Sequence, residues 1–362
     1  MIPIANPIIE DKEKNKVLEV MDSGMLASGQ YVKDFENNFA DFIGAKYANA
    51  TTSGTTGLHV ALKAAGIEEG DKVLTTPFTF IASSNSILFC GAEPIFADVK
   101  EDTFNIDPVS MRKKLKENPD IKAVIVVHLY GLACDMDPIM EIVEEYDLKL
   151  IEDAAQSHGA KYKGKNVGNF GDAAVYSFYP TKNMTTGEGG IVLTNDEKIN
   201  EKSELLINHG ASERYKHKTL GYNYRMTNIA AAIGLEQLKK LDKYNQKRKE
   251  NAAYLTENLK ELDWLETPVV PEDREHVFHQ YTVKVKNRDK FLDHLKNNEI
   301  GYGIHYPIPA YNQPLYEKMG YGDYNYPVTE KLCEEVVSLP VHPALSEEDL
   351  EEIVKVVREF NI

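Results

Sequence analysis

Long apolar runs are missing from this chain of 362 residues. No segment approaches the roughly 18 uninterrupted apolar residues that a membrane span needs. The start, MIPIANPIIEDKEKNK, has no basic stretch leading into a long apolar one. A cytoplasmic protein with no membrane partner is expected. Cysteine is scarce as well. Cys90, Cys134 and Cys333 are an odd number, far apart and without C-x-x-C spacing, so reduced and mostly buried thiols are expected rather than zinc or redox pairs. Positive charge is short: 41 Lys and Arg stand against 57 Asp and Glu, a net charge of -16, with no Lys/Arg run to reverse it locally. Such a surface repels phosphate backbones, which argues against nucleic acid as a partner. No G-x-G-x-x-G follows an early strand, which argues against a nicotinamide-dependent reductase. G-x-S-x-G is absent too, and with it the serine-hydrolase signature. Internal repeats, low-complexity tracts and flexible Gly/Ser linkers are likewise missing.

What is present is an ordinary globular composition, 42% hydrophobic and 27% charged, long enough for one large domain and a smaller one. From about residue 45 to 195, β-rich runs such as DKVLTTP, AEPIFADV, IKAVIVVHL and LKLIEDAA alternate with helix-like stretches. That alternation predicts an α/β layer with a mostly parallel sheet. Between two runs, Ile139, Ile142, Val143 and Tyr146 fall at helical spacing and form one apolar face. After Thr227 a long stretch of good helix formers reads as a spine into a second domain. The predicted division is a large α/β domain at 1–245 and a smaller C-terminal α+β domain at 246–362.

Ligands of open α/β sheets sit beyond the carboxyl ends of the strands, and several runs end in residues of chemical interest. In TTSGTTGLHVAL, small residues precede a helical run, so free N–H groups near Gly54 and Thr55 suit a phosphate. An N-cap with a loop glycine accounts for the same segment. In LIEDAAQSHGA an apolar strand ends in Glu152 and Asp153. A carboxylate there keeps a pyridine nitrogen protonated, and Asp153 is the better candidate, although a helix-capping Asp is an equal reading of this segment. DAAVYSFYPTKNMTTGEGG carries Ser177 and then Lys182 between an aromatic strand and a glycine-rich turn. A partly buried lysine with a lowered pKa is what Schiff-base chemistry requires.

Six stretches in order, SGTTGLHVAL, PFTFIASSN, EDAAQSHGA, YSFYPTKNMTTGEGG, GYNYRMTNIAAAIG and HYPIPAYNQPLY, resemble the DegT/DnrJ/EryC1/StrS family of sugar aminotransferases, in the aspartate-aminotransferase superfamily. The resemblance covers nearly the whole chain and implies the fold of pyridoxal-phosphate-dependent aminotransferases, with pyridoxal 5'-phosphate as cofactor. It makes Lys182 the Schiff-base lysine, puts Asp153 on the ring nitrogen and Gln156 near the phenolic oxygen, and assigns the phosphate to Ser177, Gly54 and Thr55. Phe80 matches the aromatic that covers the cofactor face, where core packing is the plainer reading. Asn223 matches an asparagine that reaches the neighbouring subunit's phosphate, which implies a homodimer with shared active sites. Arg225, His305 and Tyr306 match positions near the sugar nucleotide. The implied substrates are L-glutamate and a nucleotide-linked keto-sugar, with the loop IHYPIPAYNQPLY leaning towards a 3-keto sugar.

Alternatives inside the family are a sugar dehydratase, which carries histidine at the position of Lys182, and a regulatory pyridoxal-binding protein. Outside it stands a non-catalytic sugar-nucleotide-binding protein, which gives no reason for Asp153, Gln156 and Lys182 together. His158 and His209 read as structural. His276 and His279 have a metal-like spacing but no accompanying ligands, so no metal is expected.

Overall fold

The apolar runs read above become strands because their residues are buried on both faces. A computed structural model describes residues 1–322 and 324–361. The strands are β1 (Tyr47–Thr51), β2 (Lys72–Thr75), β3 (Glu93–Phe96), β4 (Ile121–Val127), β5 (Lys149–Asp153), β6 (Ala173–Ser177) and β7 (Gly190–Thr194). They form one sheet in the order β1-β7-β6-β5-β4-β2-β3. Only β7 runs against its neighbours, and the other pairs are parallel. The expectation of a mostly parallel sheet is borne out. Alternation along β4 shows why such strands need cover on two sides: Val124 and Val126 enter one apolar core, Ala123 and Ile125 the other.

Among the described residues, nine helices supply that cover and the exit from the sheet. They are α1 (Asp11–Ser23), α2 (Gln30–Ile43), α3 (Gly54–Ala64), α4 (Ala82–Phe89), α5 (Pro108–Glu117), α6 (Met136–Glu145), α7 (Glu197–Ile207), α8 (Asn228–Leu238) and α9 (Leu241–Leu259). Phe35 and Phe39 of α2, Met111 of α5, Ile139 and Ile142 of α6 and Leu235 of α8 fill the core on one face. Leu58 of α3, Ile87 of α4 and Ile199 of α7 fill the core on the other. The apolar face predicted for residues 139–146 is found, with Val143 and Tyr146 at its margin. Among the described residues no helix is long and apolar enough to cross a membrane.

The helix-rich stretch after Thr227 is two helices rather than one spine, broken at Lys239–Lys240 without a glycine or proline. Leu241 at the start of α9 packs in the large core, and Ala252, Leu255 and Leu259 pack in a separate C-terminal core. The boundary expected at 245/246 therefore falls inside a helix that serves both cores. The C-terminal core is closed by an antiparallel sheet of β8 (Leu265–Glu266), β9 (Tyr281–Val285) and β10 (Val336–Leu339), with α10 (Arg288–Asn297) and α11 (Glu347–Glu359). The N-terminus joins this unit through the pairing of Ile2 with Ile300.

Candidate active site

Thr51 at the end of β1 and Ser177 at the end of β6 both pair with Gly190, so the register brings two strand ends to one point on the sheet edge. Helix α3 starts beside them. Ser53 caps it, its hydroxyl accepting from the Thr56 N–H at 3.2 Å. A Cβ on Gly54 would lie 2.8 Å from the Ser177 Cβ, closer than side chains pack, so only glycine lets the helix start reach Ser177. The N–H groups of Gly54 and Thr55 have no intrahelical acceptor, and the helix dipole adds to their positive potential. Together with the Ser177 hydroxyl they form a cluster of donors that suits a phosphate.

Successive carboxylates at the end of β5 point to opposite sides of the sheet. Glu152 is fully buried and accepts from the N–H groups of Gly168, Phe170 and Gly171 at 2.7, 2.7 and 2.8 Å. Its remaining partner is His128 Nε2 at 3.0 Å, while His128 Nδ1 accepts from the Cys134 N–H. Glu152 is thereby a structural anchor with no capacity left for a ligand. Asp153 instead lines a cavity of about 710 Å³. Its Oδ2 accepts from the Ser83 hydroxyl at 2.7 Å and its Oδ1 from the Ala155 N–H at 3.2 Å. Burial holds its pKa above the ordinary carboxylate value, against these hydrogen bonds and the nearby Lys182.

Lys182 lies on the turn that joins β6 to β7, where its N–H bonds to the Tyr179 carbonyl at 2.9 Å. Its side chain faces the same cavity. Burial pulls its pKa from 10.5 down to about 8, with Asp153 opposing the shift. Nucleophilic amine is therefore available near neutral pH, as the aromatic strand and glycine-rich turn suggested.

The rest of the wall comes from distant segments. Gln156 Oε1 accepts from the Tyr130 N–H at 2.7 Å, and Nε2 donates to the Tyr306 hydroxyl at 3.1 Å. Phe80 is 56% exposed, its ring 6.1 Å from that of Tyr306, and both line the cavity. An open aromatic face inside a cavity suits a flat ring as ligand. His305 Nδ1 lies 3.0 Å from the Ser338 hydroxyl, and burial with Lys182 nearby lowers its pKa to about 4, so it faces the cavity as a neutral imidazole.

Of the expected site residues, Gly54, Thr55, Phe80, Asp153, Gln156, Ser177, Lys182, His305 and Tyr306 meet in this one cavity. Asn223 and Arg225 do not line it. Asn223 is exposed and paired with Asn208, and Arg225 is bridged to Thr51 and donates to the Asn208 side chain at 2.6 Å. Close by, Tyr222 and Tyr224 stack at 4.8 Å, and Leu220 is 77% exposed. Sequence reasoning missed Ser83, His279, Gln280 and Glu188, which also line the cavity. Its pairing of His276 with His279 does not describe their surroundings. His276 stacks on Phe278 with ring centroids 4.0 Å apart, whereas His279 faces the cavity. No group of three or more side chains able to hold a metal occurs among the described residues.

The profile of the DegT/DnrJ/EryC1/StrS aminotransferase family matches residues 7–358. The chain is 42% identical to the pleiotropic regulatory protein of Geobacillus stearothermophilus, over 94% of this chain and 92% of that one. It is 40% identical to the dTDP-3-amino-3,6-dideoxy-alpha-D-galactopyranose transaminase of Aneurinibacillus thermoaerophilus, over 96% and 93%. The crystal structure of S. venezuelae DesV in complex with a ketimine intermediate superposes with a TM-score of 0.93 at 34% identity, covering 96% of this chain and 94% of DesV. The chain belongs to the DegT/DnrJ/EryC1/StrS aminotransferase family.

Proposed function

We propose that this protein transfers an amino group from L-glutamate to a keto-sugar carried by a nucleotide, in the cytoplasm, as a homodimer with shared sites. The observation that carries the reading is the convergence of Lys182, Asp153 and the Gly54–Thr55–Ser177 cradle on one cavity. Pyridoxal phosphate is the family's cofactor, and the residues fit it. Bound there, it supplies an aldehyde for covalent capture of amines and a pyridinium ring that withdraws electrons.

Each protein group then has a separable task. The N–H groups of Gly54 and Thr55 with the Ser177 hydroxyl hold the phosphate. Phe80 covers the ring face, and Gln156 orients the phenolic oxygen. Asp153, held by Ser83, pairs with the ring nitrogen and favours its protonated form. Lys182 would hold the cofactor covalently, and its free amine would carry the proton away from the donor's α-carbon. In the second half it works in reverse on the sugar. His305 and Tyr306 present neutral hydrogen-bonding groups suited to sugar hydroxyls.

Support for the dimer comes from the exposed Leu220, close to an exposed Asn223 that lies outside its own cavity. Arg225 on the same segment suits a partner's sugar-nucleotide phosphate. The 3-keto position rests on the loop around His305 and on the name of the Aneurinibacillus relative.

The test is the visible spectrum of the purified protein with pyridoxal phosphate, before and after L-glutamate. A yellow band that converts to the pyridoxamine form supports the first half-reaction, and NMR of products from a panel of keto-sugar nucleotides then identifies the second. The relative named as a regulatory protein supports a second reading. A band that forms and ignores every amino donor would favour it.

A further inference from the structure

Tyr130 lies just beyond the end of β4, is 2% exposed, and has φ 58° and ψ 3°. A non-glycine residue stays in that left-handed region only where its surroundings over-determine it, and such residues gather at functional sites. Each of its polar groups is committed. The N–H donates to Gln156 Oε1 at 2.7 Å, the carbonyl accepts from the Gln280 N–H at 3.2 Å, and the hydroxyl donates to the His305 carbonyl. Gln156, Gln280 and His305 come from distant parts of the chain, and all line the ligand cavity. Tyr130 stands behind them. Its ring packs edge-on against Phe104, with centroids 5.4 Å apart, in a small apolar core with Phe78, Leu332 and Val336.

The two ends of the residue do different work. The main-chain N–H can only donate, so it fixes which end of the Gln156 amide is the oxygen and leaves Nε2 to the Tyr306 hydroxyl. That link survives a change of side chain. The hydroxyl link does not. It holds His305 by the carbonyl, while Ser338 of β10 holds the imidazole: the Ser338 hydroxyl lies 3.0 Å from His305 Nδ1 and 2.9 Å from the Thr282 hydroxyl. The ring also rests against Gly303, where a Cβ would come within 2.2 Å of the His305 Cε1. With Nδ1 engaged, Nε2 is the ring nitrogen left for a ligand. Burial raises the Tyr130 pKa, so the phenol keeps the hydrogen it donates.

We propose that Tyr130 is a positioning residue for the sugar half of the reaction: without touching the substrate, its hydroxyl sets where His305 presents Nε2 to the sugar. This role presupposes the aminotransferase reading, with His305 facing the sugar. Glutamate reacts through its amine at Lys182, and its carboxylates find no charge on the neutral His305, so the first half-reaction does not depend on the link.

Tyr130→Phe keeps the ring and the main-chain bonds and removes the hydroxyl alone. In the holoenzyme it should raise KM for the keto-sugar nucleotide by about tenfold, the scale of a buried hydrogen bond whose carbonyl is left unpaired. The rate at which L-glutamate converts the cofactor should stay the same. The probes are dTDP-, GDP- and UDP-linked 3-keto and 4-keto sugars, of which those turned over by the unmodified enzyme are used. Equal losses in both halves, or an unchanged KM for the sugar, would make Tyr130 structural and overturn the proposal. In a His305→Ala background the same substitution should add nothing, because no imidazole remains to be placed, and a full further loss there overturns it as well. If the unmodified enzyme aminates none of these sugars, the aminotransferase reading itself fails and takes the positioning role with it.

Discussion

Ser83 donates its hydroxyl to Asp153 Oδ2 at 2.7 Å, and both residues are buried in the cavity wall. The hydrogen bond opposes the burial that pushes the Asp153 pKa up, so Ser83 helps keep the carboxylate charged. Ser83→Ala should therefore raise the Asp153 pKa further and weaken its hold on a ring proton. A hydrogen bond to a charged group is worth about 1.5–3 kcal/mol, and a loss of roughly tenfold in kcat is expected. Asp153→Asn, which removes the charge at constant volume, should cost far more. Steady-state rates on both variants, with circular dichroism to confirm folding, check the order. An Asp153→Asn enzyme at full rate would move the role elsewhere, and Glu152 is already committed to three N–H groups and His128.

Gly54→Ala places a methyl group 2.8 Å from the Ser177 Cβ. Either the start of α3 or the end of β6 must move, at a cost of about 1–3 kcal/mol. Cofactor affinity should fall by about tenfold or more, since both halves of the phosphate cradle are displaced. Fluorescence titration of the apoenzyme with pyridoxal phosphate measures it, and an unchanged Kd would place the phosphate elsewhere.

Lys182 titrates near pH 8 rather than 10.5, so the apoenzyme should capture pyridoxal phosphate faster as pH rises and level off above about pH 8. The sign follows from the amine being the nucleophile and burial disfavouring the ammonium. The same depressed pKa makes apoenzyme stability rise between about pH 8 and 10.5, because there the unfolded lysine holds a proton that the folded one has lost. Stopped-flow absorbance and thermal melts across pH read the two effects. Lys182→Ala should retain cofactor through the cradle yet lose turnover. Near-normal turnover would sink the mechanism.

Much of the site was legible because strand ends are visible in sequence. Asp153, Ser177, Gly54 and Lys182 each follow an apolar run, and parallel strands deliver such ends to one edge. Asp153 was already the better candidate in the sequence, but the reason that Glu152 is excluded, its facing away from the cavity, shows only once the register is known. Ser83 was hidden because a serine in SSNS reads as helix polarity, and its partner lies 70 residues away. His279 was hidden because its place depends on the C-terminal unit folding back against residues 130 and 131, through Val277 to Gly131 and Gln280 to Tyr130. The break at Lys239–Lys240 carries no glycine or proline, so helix propensity alone reads straight through it.

The placement of Asn223 allows a test of sharing between subunits. Asn223 lies outside the cavity formed by its own chain. Lys182→Ala and Asn223→Ala homodimers should both be impaired, each carrying two defective sites. In a mixed dimer with sites shared across a two-fold interface, one site combines Lys182 of the Asn223→Ala chain with Asn223 of the Lys182→Ala chain, and is intact. The other site carries both changes. Random exchange of equal amounts makes half the dimers mixed, each with one of two sites working, so roughly a quarter of unmodified activity should return. If each site were built from a single chain, every site in the mixture would keep one of the two lesions, and mixing would restore nothing. Activity before and after subunit exchange in mild denaturant, followed by refolding, decides between the two arrangements.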